Sequence, residues 1–202
     1  FRDNFCKEEM AAPDGIGKDP YFLMDQEAAR VPIGANHLIY MPYLMGERSP
    51  KLDPNARGVF FGLSAIHTKY DMLRAVLEGV IYSQRECLDI LRGMGVVSSE
   101  MLACGGGGTS PLWRQMMADV YNLPVRTSSS KEGPALGAAI LAGVAAGVYE
   151  SVPAACRKLV KASDPQPPIA ENHDKYEPFY QLYCKLYPAM KDCFAQLQTA
   201  AD

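Results

Sequence analysis

The sequence predicts an α/β domain. Short apolar strands alternate with segments of helical period, one strand runs directly into a glycine cluster that precedes a helix, and the apolar content can fill a core. The 202 residues are 48% hydrophobic and 21% charged, a balance that excludes a disordered chain. That length suits one sizeable domain. Lys plus Arg number 20 against 23 Asp plus Glu, a formal net charge of −3, which argues against a nucleic-acid binder with its basic stripe. No apolar run reaches the roughly 20 residues that span a bilayer, so a soluble domain with no membrane partner is expected. Cys6, Cys87, Cys104, Cys156, Cys184 and Cys193 form no CxxC pair and no Cys/His cluster of zinc-ligand spacing. They are too sparse for a disulfide scaffold and read as thiols of a reducing cytoplasm. The opening Phe1-Arg2-Asp3-Asn4-Phe5 has no initiator Met and no signal-peptide character, and looks cut from something longer.

Taken in order, Asp14-Gly15, Gly17 and Pro20 mark turns, and 21–29 is a short amphipathic piece. His37-Leu38-Ile39-Tyr40-Met41-Pro42 reads as a buried strand ending at its proline. The turn-rich stretch 46–58 is loop, and Val59-Phe60-Phe61-Gly62-Leu63 a second strand. From Tyr70 the period becomes helical: Leu73, Val76, Leu77, Val80, Ile81, Gln84, Cys87, Leu88 and Leu91 share a face, and Gly93 and Gly95 end it. Arg74 and Glu78, one turn apart, read as a solvated ion pair. Met101-Leu102-Ala103-Cys104 is a strand, followed by Gly105 to Gly108 and a helix capped by Ser110 with Pro111 in its first turn. That helix stops before Pro124, and Val125-Arg126-Thr127 is the next strand. Glu132 and Pro134 open a helix of small residues, 135–147, and a short helix covers 151–161. The last segment, 173–197, carries Phe179, Leu182, Tyr183, Leu186, Met190 and Phe194 at helical spacing, with a kink or restart expected at Pro188.

Three places could carry chemistry. Glycines between a strand and a helix remove the Cβ atoms that keep a ligand off the backbone, and the helix start adds free N–H groups. Nucleotide phosphate or ribose suits such a turn. So does a simple tight turn with no ligand, since Gly105 to Ser110 completes neither a Walker A loop nor GxGxxG. Glu132-Gly133-Pro134-Ala135-Leu136-Gly137-Ala138-Ala139 could leave room for a flat ring or only allow close packing. Glu47-Arg48 is an acid–base pair in a loop, which is ordinarily just hydrated. His37, His67 and His173 lack metal-ligand context, and no catalytic set assembles.

Several motifs, taken together, are more specific. Tyr40-Met41-Pro42-Tyr43-Leu44-Met45-Gly46-Glu47-Arg48-Ser49-Pro50 is followed by Asp53-Pro54 and Arg57-Gly58-Val59-Phe60-Phe61-Gly62-Leu63. Leu73-Arg74-Ala75-Val76-Leu77-Glu78-Gly79-Val80, the glycine run with Ser110, and Glu132 to Ala139 follow in order. This series resembles the second half of the FGGY family of carbohydrate kinases, near its D-xylulose-phosphorylating branch. The resemblance implies an actin/hexokinase-like (ribonuclease H-like) ATPase lobe, a mixed sheet flanked by helices. Residues 1–202 would form a single C-terminal lobe whose N-terminal lobe is absent from the chain. ATP or ADP would bind between the lobes, with Gly106 and Gly107 against ribose and phosphate, Ser110 near adenine and Gly105 shaping the turn.

The resemblance places the catalytic Asp, the phosphate motif and the sugar site upstream. No catalytic residue or metal ligand is therefore expected here, although Mg2+ would accompany ATP, and the lobe alone would be inactive. The implied reaction converts D-xylulose to xylulose 5-phosphate. Gluconate, ribulose or glycerol are alternative acceptors, and a non-catalytic actin-like nucleotide-binding module is an alternative role. The expected partners are the N-terminal lobe of the same protein, the nucleotide and the sugar. A bared lobe face could also pair two copies into a homodimer.

Overall fold

A computed structural model of the chain describes residues 1–11, 19–128 and 133–200. The turn signals Asp14-Gly15 and Gly17, and the helix-opening Glu132, lie outside them. Two single helical turns, α1 (Arg2–Phe5) and α2 (Lys7–Met10), precede α3 (Pro20–Ala28). Asp19 caps α3 by accepting the Tyr21 N–H at 3.0 Å, with Pro20 in the first turn.

Strands β1 (Ile39–Met41) and β2 (Val59–Phe61) pair antiparallel, Tyr40 opposite Phe60. Between them the chain is loop, as its turn residues predict. Glu47 and Asp53 exchange backbone hydrogen bonds there, and the Glu47 carboxylate accepts the Ser49 N–H at 2.8 Å.

The long predicted helix is α4 (Lys69–Gly93), opened by a Thr68–Asp71 capping box. It lies directly on β1 because Gly79 has no side chain: a Cβ there would sit 2.1 Å from the Tyr40 carbonyl oxygen. Its buried face departs from the sequence reading. Arg74 and Glu78 are 5% and 1% exposed, not a solvated pair. Arg74 Nε donates to Glu78 Oε1 at 2.7 Å and Nη2 donates to the Tyr176 hydroxyl at 2.6 Å. Glu78 Oε1 also accepts the Gly34 N–H at 3.1 Å. Burial pushes the Glu78 carboxyl upward, and the adjacent guanidinium opposes it. A charge in such a site survives only with partners, here the Arg74 guanidinium and the Gly34 N–H.

Strands β3 (Met101–Ala103) and β4 (Val125–Thr127) run parallel. Their crossover holds α5 (Gly105–Thr109) and α6 (Pro111–Tyr121), the right kind of connection for a parallel pair. Ser110 caps α6, its Oγ accepting the Trp113 N–H at 3.0 Å. Among the described residues the sheets stay as two separate two-stranded pairs, so helices supply most of the bulk. The chain continues through α7 (Gly133–Ala145), α8 (Val152–Leu159) and α9 (Ala170–Thr199).

Helix α9 runs through Pro178 and Pro188 as one element, so of the kink or restart expected at Pro188 the restart does not occur. Both prolines lie on the exposed face, where carbonyls that lose an amide partner can turn to water. The opposite face is held by tyrosine. The Tyr82 ring meets those of Tyr176, Tyr180 and Tyr183, and the Tyr183 and Tyr43 hydroxyls are 2.9 Å apart. The helix also begins earlier than predicted because buried Asp119 of α6 accepts the Ile169 N–H at 2.8 Å and the Asn172 amide at 2.9 Å.

Replacing Arg74 with Met strands the Glu78 carboxylate in the core and is expected to cost about 3–5 kcal/mol in urea unfolding. The double change Arg74→Met, Glu78→Leu should recover a large part of that loss, because it removes both charges together.

Candidate functional site

A cavity of about 760 Å³ opens between α1, α3, α4 and the start of α6, within the range of about 300–1,000 Å³ typical of small-ligand sites. Leu73, Val76 and Leu77 of α4 and Met24 of α3 line it with apolar surface. Tyr21, Phe22 and Asp25 of α3 form one wall, Gly106, Gly107, Ser110 and Trp113 another, and Phe1, Arg2 and Asp3 close an end. Among the residues singled out from sequence, Gly106, Gly107 and Ser110 face the cavity together. Gly105 does not line it.

The four glycines of the run have separate reasons to lack a side chain. Gly105 turns the chain out of β3 at φ +75°, where L-residues are strained. At Gly107 a Cβ would lie 2.1 Å from the Trp113 ring. At Gly108 it would lie 2.8 Å from the Ala103 carbonyl oxygen and 3.1 Å from Thr127 Oγ1. Gly106 alone is explained neither by backbone nor by neighbours: among the described residues nothing lies within 4 Å of its missing Cβ, and it borders the cavity. The turn is otherwise well fixed, with Thr109 Oγ1 donating to the Gly106 carbonyl at 2.6 Å and Arg114 Nη1 to that of Gly108 at 2.7 Å. Trp113 is locked in turn by its indole N–H, which donates to the Leu77 carbonyl at 3.2 Å.

The charged side chains of the cavity are mostly acidic, Asp3, Asp19 and Asp25 against Arg2. Burial raises the Asp25 carboxyl above its usual range, the Ser110 hydroxyl opposes this, and the charge of Asp19 adds to the rise. Arg2, the positive charge at the rim, is already engaged with Asp3 at 2.7 Å and stacked over the Tyr21 ring. Such a pocket suits an uncharged ring with hydrogen-bond donors more than a polyphosphate. Among the described residues no group of three or more His, Cys, Asp or Glu side chains could hold a metal ion.

Sequence reasoning missed the α3 wall. Segment 21–29 reads as a short amphipathic helix without a role, yet Tyr21 and Phe22 are both exposed. Adjacent solvent-facing aromatics after an Asp-Pro cap are the signal that could have marked it. Of the other places, Glu47 is used within its own loop, while the close packing expected of the small-residue helix is not found: in α7 only Ile140 is buried, and among the described residues no atom lies within 4 Å of a Cβ at Gly137. His67 and His173 bond to main-chain oxygens of Asn36 and Asp119. A more open hollow of about 440 Å³ beside Lys51, Glu86 and Asp89 is neutralised by its own contacts, a Lys51–Glu86 ion pair and the Tyr180 hydroxyl on Asp89.

Residues 2–146 match the C-terminal domain of the FGGY family of carbohydrate kinases. The chain belongs to that family. A xylulose kinase of Staphylococcus epidermidis is 40% identical over 87% of this chain and 35% of its own length. A gluconokinase of Bacillus subtilis is 34% identical over 98% of this chain and 38% of its own. The solved structure of a ligand-bound xylulose kinase from Lactobacillus acidophilus superposes with a TM-score of 0.80 at 30% identity, covering 90% of this chain and 37% of that one. The chain thus spans little more than a third of the relatives it matches. The fold is the actin/hexokinase-like one of these kinases, and no helix among the described residues is long and apolar enough to cross a membrane.

The division among the glycines is measurable. Gly107→Ala drives a methyl into the Trp113 ring and should cost about 1–3 kcal/mol in urea unfolding. Gly106→Ala meets no atom and has the better helix former, so it should leave stability within about 1 kcal/mol of wild type.

Proposed function

We propose that this chain is the nucleotide-binding lobe of an ATP-dependent sugar kinase that phosphorylates D-xylulose to xylulose 5-phosphate. Family membership supports the kinase class. The observation that carries the site is Gly106, which borders the cavity where nothing among the described residues requires a glycine. In this reading Gly106 and Gly107 let ribose and the first phosphates approach the backbone, Ser110 lies by the adenine, and Gly105 sets the direction of the turn. The apolar surface of Leu73, Val76 and Leu77 takes the face of the base.

Phosphoryl transfer requires an in-line nucleophile, a base for its proton and neutralisation of the transferring group. The described residues supply the nucleotide end only. The general-base Asp, the sugar pocket and the groups around Mg2+ belong to the part of the protein outside this chain, so the lobe by itself is inactive. ATP brings its magnesium with it, and no residue here is assigned as a ligand. The gluconokinase match, which extends over 98% of this chain, favours gluconate as the second acceptor to consider.

A panel of D-xylulose, D-ribulose, D-gluconate and glycerol with Mg-ATP should give the highest kcat/KM for D-xylulose in the full-length protein. The 202-residue chain alone should give no turnover. Robust turnover by the chain alone would overturn the assignment of the missing groups, and preference for gluconate would move the substrate. Gly106→Val fills the mouth of the cavity and should raise KM for ATP roughly tenfold or more with an unchanged melting temperature.

A further inference from the structure

One indole joins the glycine turn to the apolar side of the cavity. Trp113 borders the cavity together with Gly107 and Leu77. Its Cζ3 and Cε3 atoms occupy the place where a Gly107 side chain would begin. Its indole N–H donates to the Leu77 carbonyl at 3.2 Å, and its backbone N–H donates to Ser110 Oγ at 3.0 Å. The ring therefore supports the turn on one side and is bonded to α4 on the other. A helix carbonyl has two lone pairs, so Leu77 can take the indole in addition to the amide one turn on. Packing over Gly107 asks only for a flat apolar ring, which Phe would supply. The indole adds a donor, and that donor is spent on the helix that lines the cavity.

Resting on the nucleotide reading of this cavity, we propose that Trp113 is a positioning residue for the nucleotide. Through its bond to Leu77 it sets the spacing between the Gly106–Gly107 backbone and the apolar surface of Leu73, Val76 and Leu77. The turn is stiff within itself, since Thr109 Oγ1 donates to the Gly106 carbonyl and Arg114 Nη1 to that of Gly108. It shifts as a unit, and the indole fixes where that unit stands relative to α4. A ligand that touches both surfaces binds best when their separation is already set, because a site ordered only on binding loses that ordering cost from its affinity. Trp113 has no part in phosphoryl transfer. Its loss weakens the hold on the nucleotide and leaves the bound nucleotide as reactive as before.

Trp113→Phe keeps a ring over Gly107 and removes the donor. In steady-state kinetics of the full-length protein it should raise KM for ATP roughly 2- to 10-fold, the worth of one hydrogen bond. The calorimetric Kd for ATP should rise by the same factor, while kcat and the KM for the sugar stay within about twofold of wild type. A tryptophan that only holds the fold behaves differently. Its loss lowers the folded fraction, so the apparent kcat falls and the KM of the remaining enzyme for ATP stays where it was. That pattern, an equal rise in both KM values, or a Phe variant that does not fold would overturn the role of Trp113. Gly106→Val tells this failure from failure of the cavity reading. A KM for ATP raised in Gly106→Val and untouched in Trp113→Phe removes the Trp113 assignment alone. A KM for ATP untouched in Gly106→Val removes the cavity reading and takes the proposal with it.

Discussion

Much of the structure depends on one charged pair sealed inside it. Glu78 and Arg74 lie on the buried face of α4, where the Glu78 carboxylate could not stay ionised without the guanidinium beside it. Their remaining hydrogen-bond capacity reaches three other parts of the chain. Glu78 accepts the Gly34 N–H, Arg74 Nη2 donates to the Tyr176 hydroxyl of α9, and Arg74 Nη1 donates to the Ala28 carbonyl at the end of α3. Each contact is satisfied only if those segments sit where they do. Gly34 is further constrained because a Cβ there would overlap the Phe179 ring. The pair therefore acts as a register mark for α3, α4 and α9 more than as a source of net stability.

That register mark has a consequence for the cavity. Helix α3 supplies one wall and α4 supplies apolar lining, so the width between them follows from how α3 is anchored at its C-terminal end. The facing wall is anchored separately, by Trp113 bonded to the Leu77 carbonyl and packed over Gly107. Both anchors end on α4. A single long helix, capped at Thr68 and pressed on β1 through Gly79, is thus the common reference for both sides of the pocket. Sites built on rigid elements in this way hold their geometry better than sites on free loops.

The parts of this arrangement that are local in sequence were legible from it. Ser110 followed by Pro111 announces the start of α6, and the apolar period after Tyr70 announces α4. The loop between β1 and β2 follows from its turn residues. What escaped is what depends on distant partners. Arg74 and Glu78 look like any i, i+4 surface pair until Tyr176 and Gly34 are brought to them from across the chain. Pro188 looks like a point of restart until the tyrosine stripe behind it is packed against Tyr82. Of that stripe the helical spacing picks out Tyr183 but neither Tyr176 nor Tyr180, whose hydroxyls need partners that the local sequence does not name. For the site, the glycine turn and Ser110 were visible, while the α3 wall, far upstream in the chain, became part of it only through folding.

The charges of the cavity also bear on where chemistry can happen. Asp3, Asp19 and Asp25 line it against Arg2 alone, and Arg2 is already paired with Asp3. A triphosphate placed among these carboxylates would be repelled at short range with little water between to screen it. In the proposed function the nucleotide consequently enters base first, with its phosphates leaving past Gly106 toward the mouth. The γ-phosphate, several bonds further on, then lies beyond every residue described here. Tight binding at the base end contributes equally to ground and transition states, and by itself accelerates nothing. It becomes catalytic only when a second set of groups holds the acceptor and the transferring phosphate in line with it. In the proposed function a lobe built this way separates recognition of the nucleotide from the reaction it feeds.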